Sequence, residues 1–182
     1  MKNVCALIAS SLLFAACTSA PAPQPAAPAA TGPAATPHAN LAQMMRGIPF
    51  PASNIIFAVQ NEDPGAPKKP DAGGADRYAD TYGGWMAVEN AGMALSETAN
   101  LLLIPGRMCE NGKPAPLDRE DYKKGIQLLA EAGEAAYKAA QAKNREAFDD
   151  VTGKVADACS ACHEVYRDKD NPMDRCTPPA AK

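Results

Sequence analysis

Aromatic side chains make up only 5% of the 182 residues. A β-sandwich fills its core with aromatic and β-branched strand residues, so this scarcity argues against that class. Net charge is -3, with no basic stripe of the kind that grips a nucleic-acid backbone. The one long apolar run lies at the N-terminus and is too short to span a bilayer. No G-x-S-x-G, metal-protease helix or phosphate-binding loop occurs, so no enzyme class is indicated. There is no internal repeat and no strand signal. What the chain does have is abundant alanine, which favours helices packed through small residues. The length allows one domain with a core plus accessory segments.

The opening "MKNVCALIASSLLFAAC" places Lys2 before an apolar stretch that ends in small residues, the form of an export signal over residues 1–16. "LLFAAC" resembles a bacterial lipoprotein processing site, which makes Cys17 the lipidated first residue, although Phe14 is unusual there. A cut after Ala20 would leave Pro21 just past it, where proline is poorly tolerated. Either cut sends the protein out of the cytoplasm. Residues 17–39 carry proline every few positions and can bury no core; they read as a semi-extended tether.

The folded domain is expected over 40–182. Asn40 is a candidate N-cap for a helix with Leu41, Met44, Met45 and Ile48 at helical spacing. Pro49 and Pro51 interrupt it, and "SNIIFAVQ" resumes it, before a loop over 61–74. A second helix over 75–104 carries Tyr78, Tyr82, Trp85, Val88, Leu95, Ala99 and Leu102, and its glycines weaken without overturning it. Pro105 and Gly106 end it, just before Cys109. A third helix opens with Asp118 as cap candidate and shows the row Tyr122, Ile126, Leu129, Gly133, Ala136. The fourth shows Phe148, Val151, Val155, Cys159, Cys162 and Tyr166. Four helices and no strand predict an all-α, up-down-up-down four-helix bundle.

The last helix holds "ADACSACHEVYRD", residues 156–168. Three- and four-residue steps put Cys159, Cys162 and His163 nearly on one side, with both sulfurs on the apolar stripe. A redox disulfide within the pair needs a βαβ setting, which is missing. A zinc site could recruit Cys109 and Cys176, but the usual second close-set ligand pair is absent. C-x-x-C-H is the attachment sequence of c-type haem: two thiols add to the vinyl groups, and the adjacent imidazole ligates iron. That attachment happens outside the cytoplasm, and the export signal supplies the compartment independently. One covalently bound haem c is therefore expected on Cys159 and Cys162, with His163 as axial ligand.

Fewer than twenty residues follow His163, too few for the ordinary small cytochrome c, whose motif lies early. Attachment late in the last helix of an all-helical chain resembles the cytochrome c′ family over about residues 40–168. That resemblance implies a four-helix bundle with haem near one end, and a sixth ligand that divides the family. One branch leaves the site open behind an apolar side chain; a six-coordinate branch uses a Met of the first helix. The start of helix one and the end of helix four share one end, so "QMMR" approaches the haem. Met45 aligns best with the Met-ligated branch, with Met44 as fallback. Met173 would need a tight return, Met86 and Met93 are explained by core packing, and His38 lies in the tether. Trp85, Tyr82, Ile48, Phe50 and Val155 are candidate haem walls, and Arg167 and Lys169 candidate propionate partners or helix-end charges.

Cys5 leaves with the signal, so Cys109 and Cys176 remain. Each follows a helix that ends at the haem end, and two thiols at one end of an exported domain should pair. The leading functional expectation is an exported, periplasmic electron carrier, tethered to the membrane through Cys17, that serves redox proteins. The alternatives are a five-coordinate protein binding nitric oxide or carbon monoxide, and a zinc- or disulfide-stapled domain without haem. The resemblance also raises a homodimer through helices one and two.

Overall fold

The computed structural model describes residues 35–67 and 82–178. The export signal, Cys5, Cys17, most of the tether, Tyr78 and much of the 61–74 loop lie outside them. Every regular element among the described residues is helical, apart from one isolated bridge between Met108 and Pro114. None of their helices is long and apolar enough to cross a membrane.

The first arm of the bundle is broken in two. Helix α1 (Leu41–Gly47) starts at a capping box in which the Asn40 side chain accepts from Gln43 N and Gln43 reaches back to Asn40 N. It stops at Ile48, and α2 (Pro49–Ala58) restarts with proline in its first turn. Of the two prolines expected to interrupt the helix, only Pro49 coincides with the break. Pro51 sits in the first turn of α2, where backbone N–H groups have no intrahelical acceptor to lose.

Helix α3 (Trp85–Leu102) begins ten residues later than the periodicity suggested. Gly84, at φ 64°, turns the chain into the helix, so Tyr82 and Gly83 precede it. Helix α4 (Glu120–Gln141) is flanked at its start by Arg119 rather than Asp118, with Glu120 and Asp121 in the first turn where the helix dipole favours them. Its expected row is buried throughout, from Tyr122 to Ala136. Helix α5 (Phe148–Cys162) runs into a π-helical turn at His163–Arg167, which nothing in the sequence announced.

Helix α2 packs on α3, α3 on α4, α4 on α5, and α5 on α2, which makes an all-α four-helix bundle. Consecutive arms run antiparallel. Gln60 at the end of α2 donates to Thr152 near the start of α5. At the other end, Leu41 N donates to Met108 O beyond α3. Helices α3 and α4 cross at a pair of glycines: a Cβ on Gly133 would lie 2.5 Å from Ser96 N, and one on Gly92 would lie 2.5 Å from Tyr137 N. Gly92 therefore belongs inside its helix because two backbones touch there. Met44 is core, whereas Met86 and Met93 are about half exposed. Core packing does not explain those two, because the buried face of α3 runs through Val88, Ala91, Leu95 and Leu102.

A cavity lined by two cysteines, a histidine and a methionine

At the end where α1 begins and α5 finishes, the helices border a partly open cavity of about 340 Å³. Cys159, Cys162 and His163 line it from α5 and the π-turn, and Met45 lines it from α1. Leu41, Phe50, Ile126 and Leu129 supply apolar wall. The spacing of Met44 and Met45 decides their roles: one residue apart on a helix, they point about 100° apart. Met44 turns into the core and Met45 turns to the cavity.

Gly125 of α4 faces the attachment helix. A Cβ there would collide with Cys162 Sγ, so the absence of a side chain leaves room for that sulfur. Cys159 and Cys162 are free, half-buried thiols. Burial raises both above the usual thiol range, Cys162 to about 11, with Cys159 and Asp121 adding to the effect. Burial thus favours the protonated thiol form of both. Burial also lowers His163, helped by Arg167, which leaves a neutral imidazole with a lone pair to offer. No three His, Cys, Asp or Glu side chains among the described residues gather in a metal-holding arrangement, and Cys109 and Cys176, the extra ligands a zinc site would need, are joined to each other.

That disulfide spans 67 residues of sequence, and both sulfurs' residues border the cavity. It belongs to a strap that ties the segment after α3 to the C-terminal tail. Asn111 Nδ2 donates to the carbonyls of Met173 and Arg175, at 3.0 and 2.8 Å, and Lys113 Nζ donates to Met173 O and Thr177 Oγ1. Cys176 N donates to Tyr166 O at 2.8 Å. Glu110 pairs with Arg46 at 3.3 Å and Arg175 at 3.6 Å, two of the three arginines on the cavity wall; Arg167 is the third and pairs with Asp168.

Two tyrosines meet beneath the site, edge to face at 5.7 Å. Tyr166 OH donates to Asp121 Oδ1 at 2.6 Å and accepts from Arg119 Nε, while Arg119 also grips Asp121 through both oxygens. Arg119 foremost and then Tyr166 hold the Asp121 carboxyl well below its ordinary range, and burial pushes Tyr166 up to about 12. Arg107 is buried and donates to Leu101 O and to Ala39 O at 2.6 Å, so the last residue of the expected tether is held against the fold.

Several expected wall residues lie elsewhere. Only Phe50 of the five lines the cavity. Trp85 stacks near Phe148 at 5.9 Å where α3 and α5 begin, at the opposite end; alternating helix direction requires this. Ile48 and Tyr82 border a separate groove between α2 and α3, and Val155 is plain core. Lys169 and Met173 are not on the wall, and His38 is exposed. Tyr122 and Gly125 escaped notice as site residues. Their signal was a phenol and a glycine about one turn apart on the buried face of α4.

The fold and cavity define a four-helix bundle whose terminal helix carries a Cys-x-x-Cys-His cluster into an apolar end cavity. A family model described as Cytochrome C' matches residues 117–167, that is α4, α5 and the π-turn with the cluster. This match supports a c-type haem protein. No curated protein and no solved structure matches the chain.

Proposed function

We propose that the chain is an exported cytochrome that carries single electrons through one haem c held by Cys159 and Cys162, with His163 and Met45 as axial ligands. The observation that carries this reading is the convergence of those four side chains on one cavity from the first and last arms of the bundle. The donor set suits the group: two neutral thiols next to a neutral imidazole, a thioether lining the same cavity, and a glycine that leaves space beside Cys162. Haem, once bound, supplies an iron that accepts and returns one electron.

The protein's part is to hold, desolvate and tune. Cys159 and Cys162 provide the two sulfurs for thioether links, and the helix fixes their three-residue offset. His163 presents its imidazole from the π-turn, a deviation that often marks a functional position. Met45 offers a soft thioether, which favours the reduced state and raises the potential. Leu41, Ile126 and Leu129 make the wall apolar, and Arg46, Arg167 and Arg175 set positive charge around the cavity. If His163 and Met45 both held the iron, no position would be left for a substrate, which supports electron transfer over catalysis. Lipidation at Cys17 and a proline-rich tether would let the domain swing between membrane-bound redox partners in the periplasm.

A five-coordinate, gas-binding protein is the second reading. It is favoured by Leu41, an apolar side chain that lines the same cavity as Met45 and could cover an open iron face. Optical spectra of the oxidised protein separate the two: a low-spin spectrum with a Met–iron charge-transfer band supports Met45 ligation, and a high-spin spectrum supports the open site.

A further inference from the structure

A histidine that ligates a metal usually has its second ring nitrogen held by a carboxylate or a carbonyl, which fixes the plane of the ring. Among the described residues, no hydrogen bond reaches the His163 ring. Its direction is therefore left to the turn that carries it. That turn is π-helical, closed by Asp168 N donating to His163 O at 2.8 Å. Tyr166 lies in the same turn, and its hydroxyl is held by the start of α4. It donates to Asp121 Oδ1 at 2.6 Å and accepts from Arg119 Nε at 3.1 Å. Asp121 is itself fixed, by two Arg119 nitrogens at 3.0 and 2.7 Å and by Tyr122 N at 2.9 Å. The buried Tyr166 ring also meets Tyr122 edge to face. Phenylalanine would make that ring contact equally well, so packing alone gives the hydroxyl no role.

Resting on the haem reading, we infer that Tyr166, clamped by Asp121 and Arg119, fixes the π-turn and through it the orientation of the His163 imidazole. Tyr166 is a positioning residue in this assignment. It acts through the three peptide units that separate it from His163 and touches no reacting atom. A phenol-to-carboxylate bond is charge-assisted and stronger than a neutral one, which suits an anchor between two helices. The main chain of the turn is tied separately, by Cys176 N donating to Tyr166 O at 2.8 Å. Without the side-chain anchor, residues 163–167 are free to relax toward the α-helical register of α5, which would redirect the side chains they carry.

The test uses full-length protein matured with haem, compared with Tyr166→Phe, Asp121→Asn and Tyr137→Phe. Proton NMR of the ferric protein reads the haem ring-methyl shifts, whose pattern follows the plane of the axial imidazole. A clamp that only stabilised the fold would lower the denaturant midpoint and leave that pattern in place. Tyr166→Phe, which changes no charge, is expected to keep covalent haem and to shift the ring-methyl signals. Asp121→Asn should shift them in the same direction. Tyr137→Phe should not move them, because its hydroxyl accepts only from Gln141 on the exposed side of α4. Ring-methyl shifts identical in the parent and Tyr166→Phe, with haem attached in both, would overturn this assignment and leave the haem reading standing. Should Tyr166→Phe retain no haem, unchanged shifts in Asp121→Asn would overturn it in the same way. Absence of covalent haem from the parent protein would overturn both.

Discussion

The same four arms of the bundle end in two different ways. At one end Trp85 and Phe148 pack ring against ring, Gln60 bonds Thr152, and Arg145 closes over the carbonyls of Val59 and Gln60. Phe148 is essentially inaccessible, and the end is filled. At the other end the helices leave about 340 Å³ open, and the protein frames that space with a disulfide, a tail and paired arginines. An unfilled apolar volume forfeits dispersion contacts. A filled end and an open end braced by covalent and ionic links are the arrangement that the proposed haem would require. The glycines of α4 repeat the contrast: Gly133 lets two backbones approach, whereas Gly125 makes room for a sulfur.

The sharpest way to break this contrast is His163→Ala. It should abolish normal low-spin holoprotein while leaving the filled end intact, as checked by optical spectra and by circular dichroism. A normal low-spin spectrum would show that His163 is not the ligand. Removing the disulfide with Cys109→Ser and Cys176→Ser comes next. The 67-residue separation corresponds to a loop-entropy contribution of about 4 kcal/mol, measurable as a lowered denaturant midpoint, with the damage concentrated at the open end.

The two methionines should separate cleanly. Met44→Ala is expected to cost roughly 2–5 kcal/mol by emptying core volume, with spectra unchanged. Met45→Ala should cost less and convert the iron to high spin, open to carbon monoxide. The reverse outcome would put Met44 at the iron. Among glycines, Gly125→Ala should destabilise by about 1–3 kcal/mol and impair haem attachment, because its methyl group would meet Cys162 Sγ. Gly153 is exposed on α5, and a methyl group there would meet nothing within 4 Å. It gives the smallest effect: alanine at that position should stabilise by roughly 0.5–1 kcal/mol. Thermal melts of the two variants should therefore move in opposite directions.

The periodicity of the sequence carried the four arms, and alternating helix direction carried which residues share an end. Leu41, Met45, Cys162 and His163 meet for that reason. The same rule places Trp85 far from them, and bulk and aromaticity alone were a poor guide to the cavity wall. Boundaries were harder. Tyr82 falls on the helical row yet precedes α3, because Gly84 takes a left-handed conformation that the row does not register. Asp118 has the chemistry of a cap but lies one residue before the flanking position. Met86 and Met93 are apolar by composition and outward-facing by phase. The π-turn at His163–Arg167 and the unpaired Tyr122 hydroxyl depend on how neighbouring arms pack, which no local spacing encodes.

The most direct measurement is mass analysis of the peptide spanning α5, taken from exported protein made in a host able to mature c-type cytochromes. The account predicts one haem covalently bound through both Cys159 and Cys162, and a haem stain that survives a denaturing gel. A colourless protein whose α5 peptide has two unmodified thiols would contradict it.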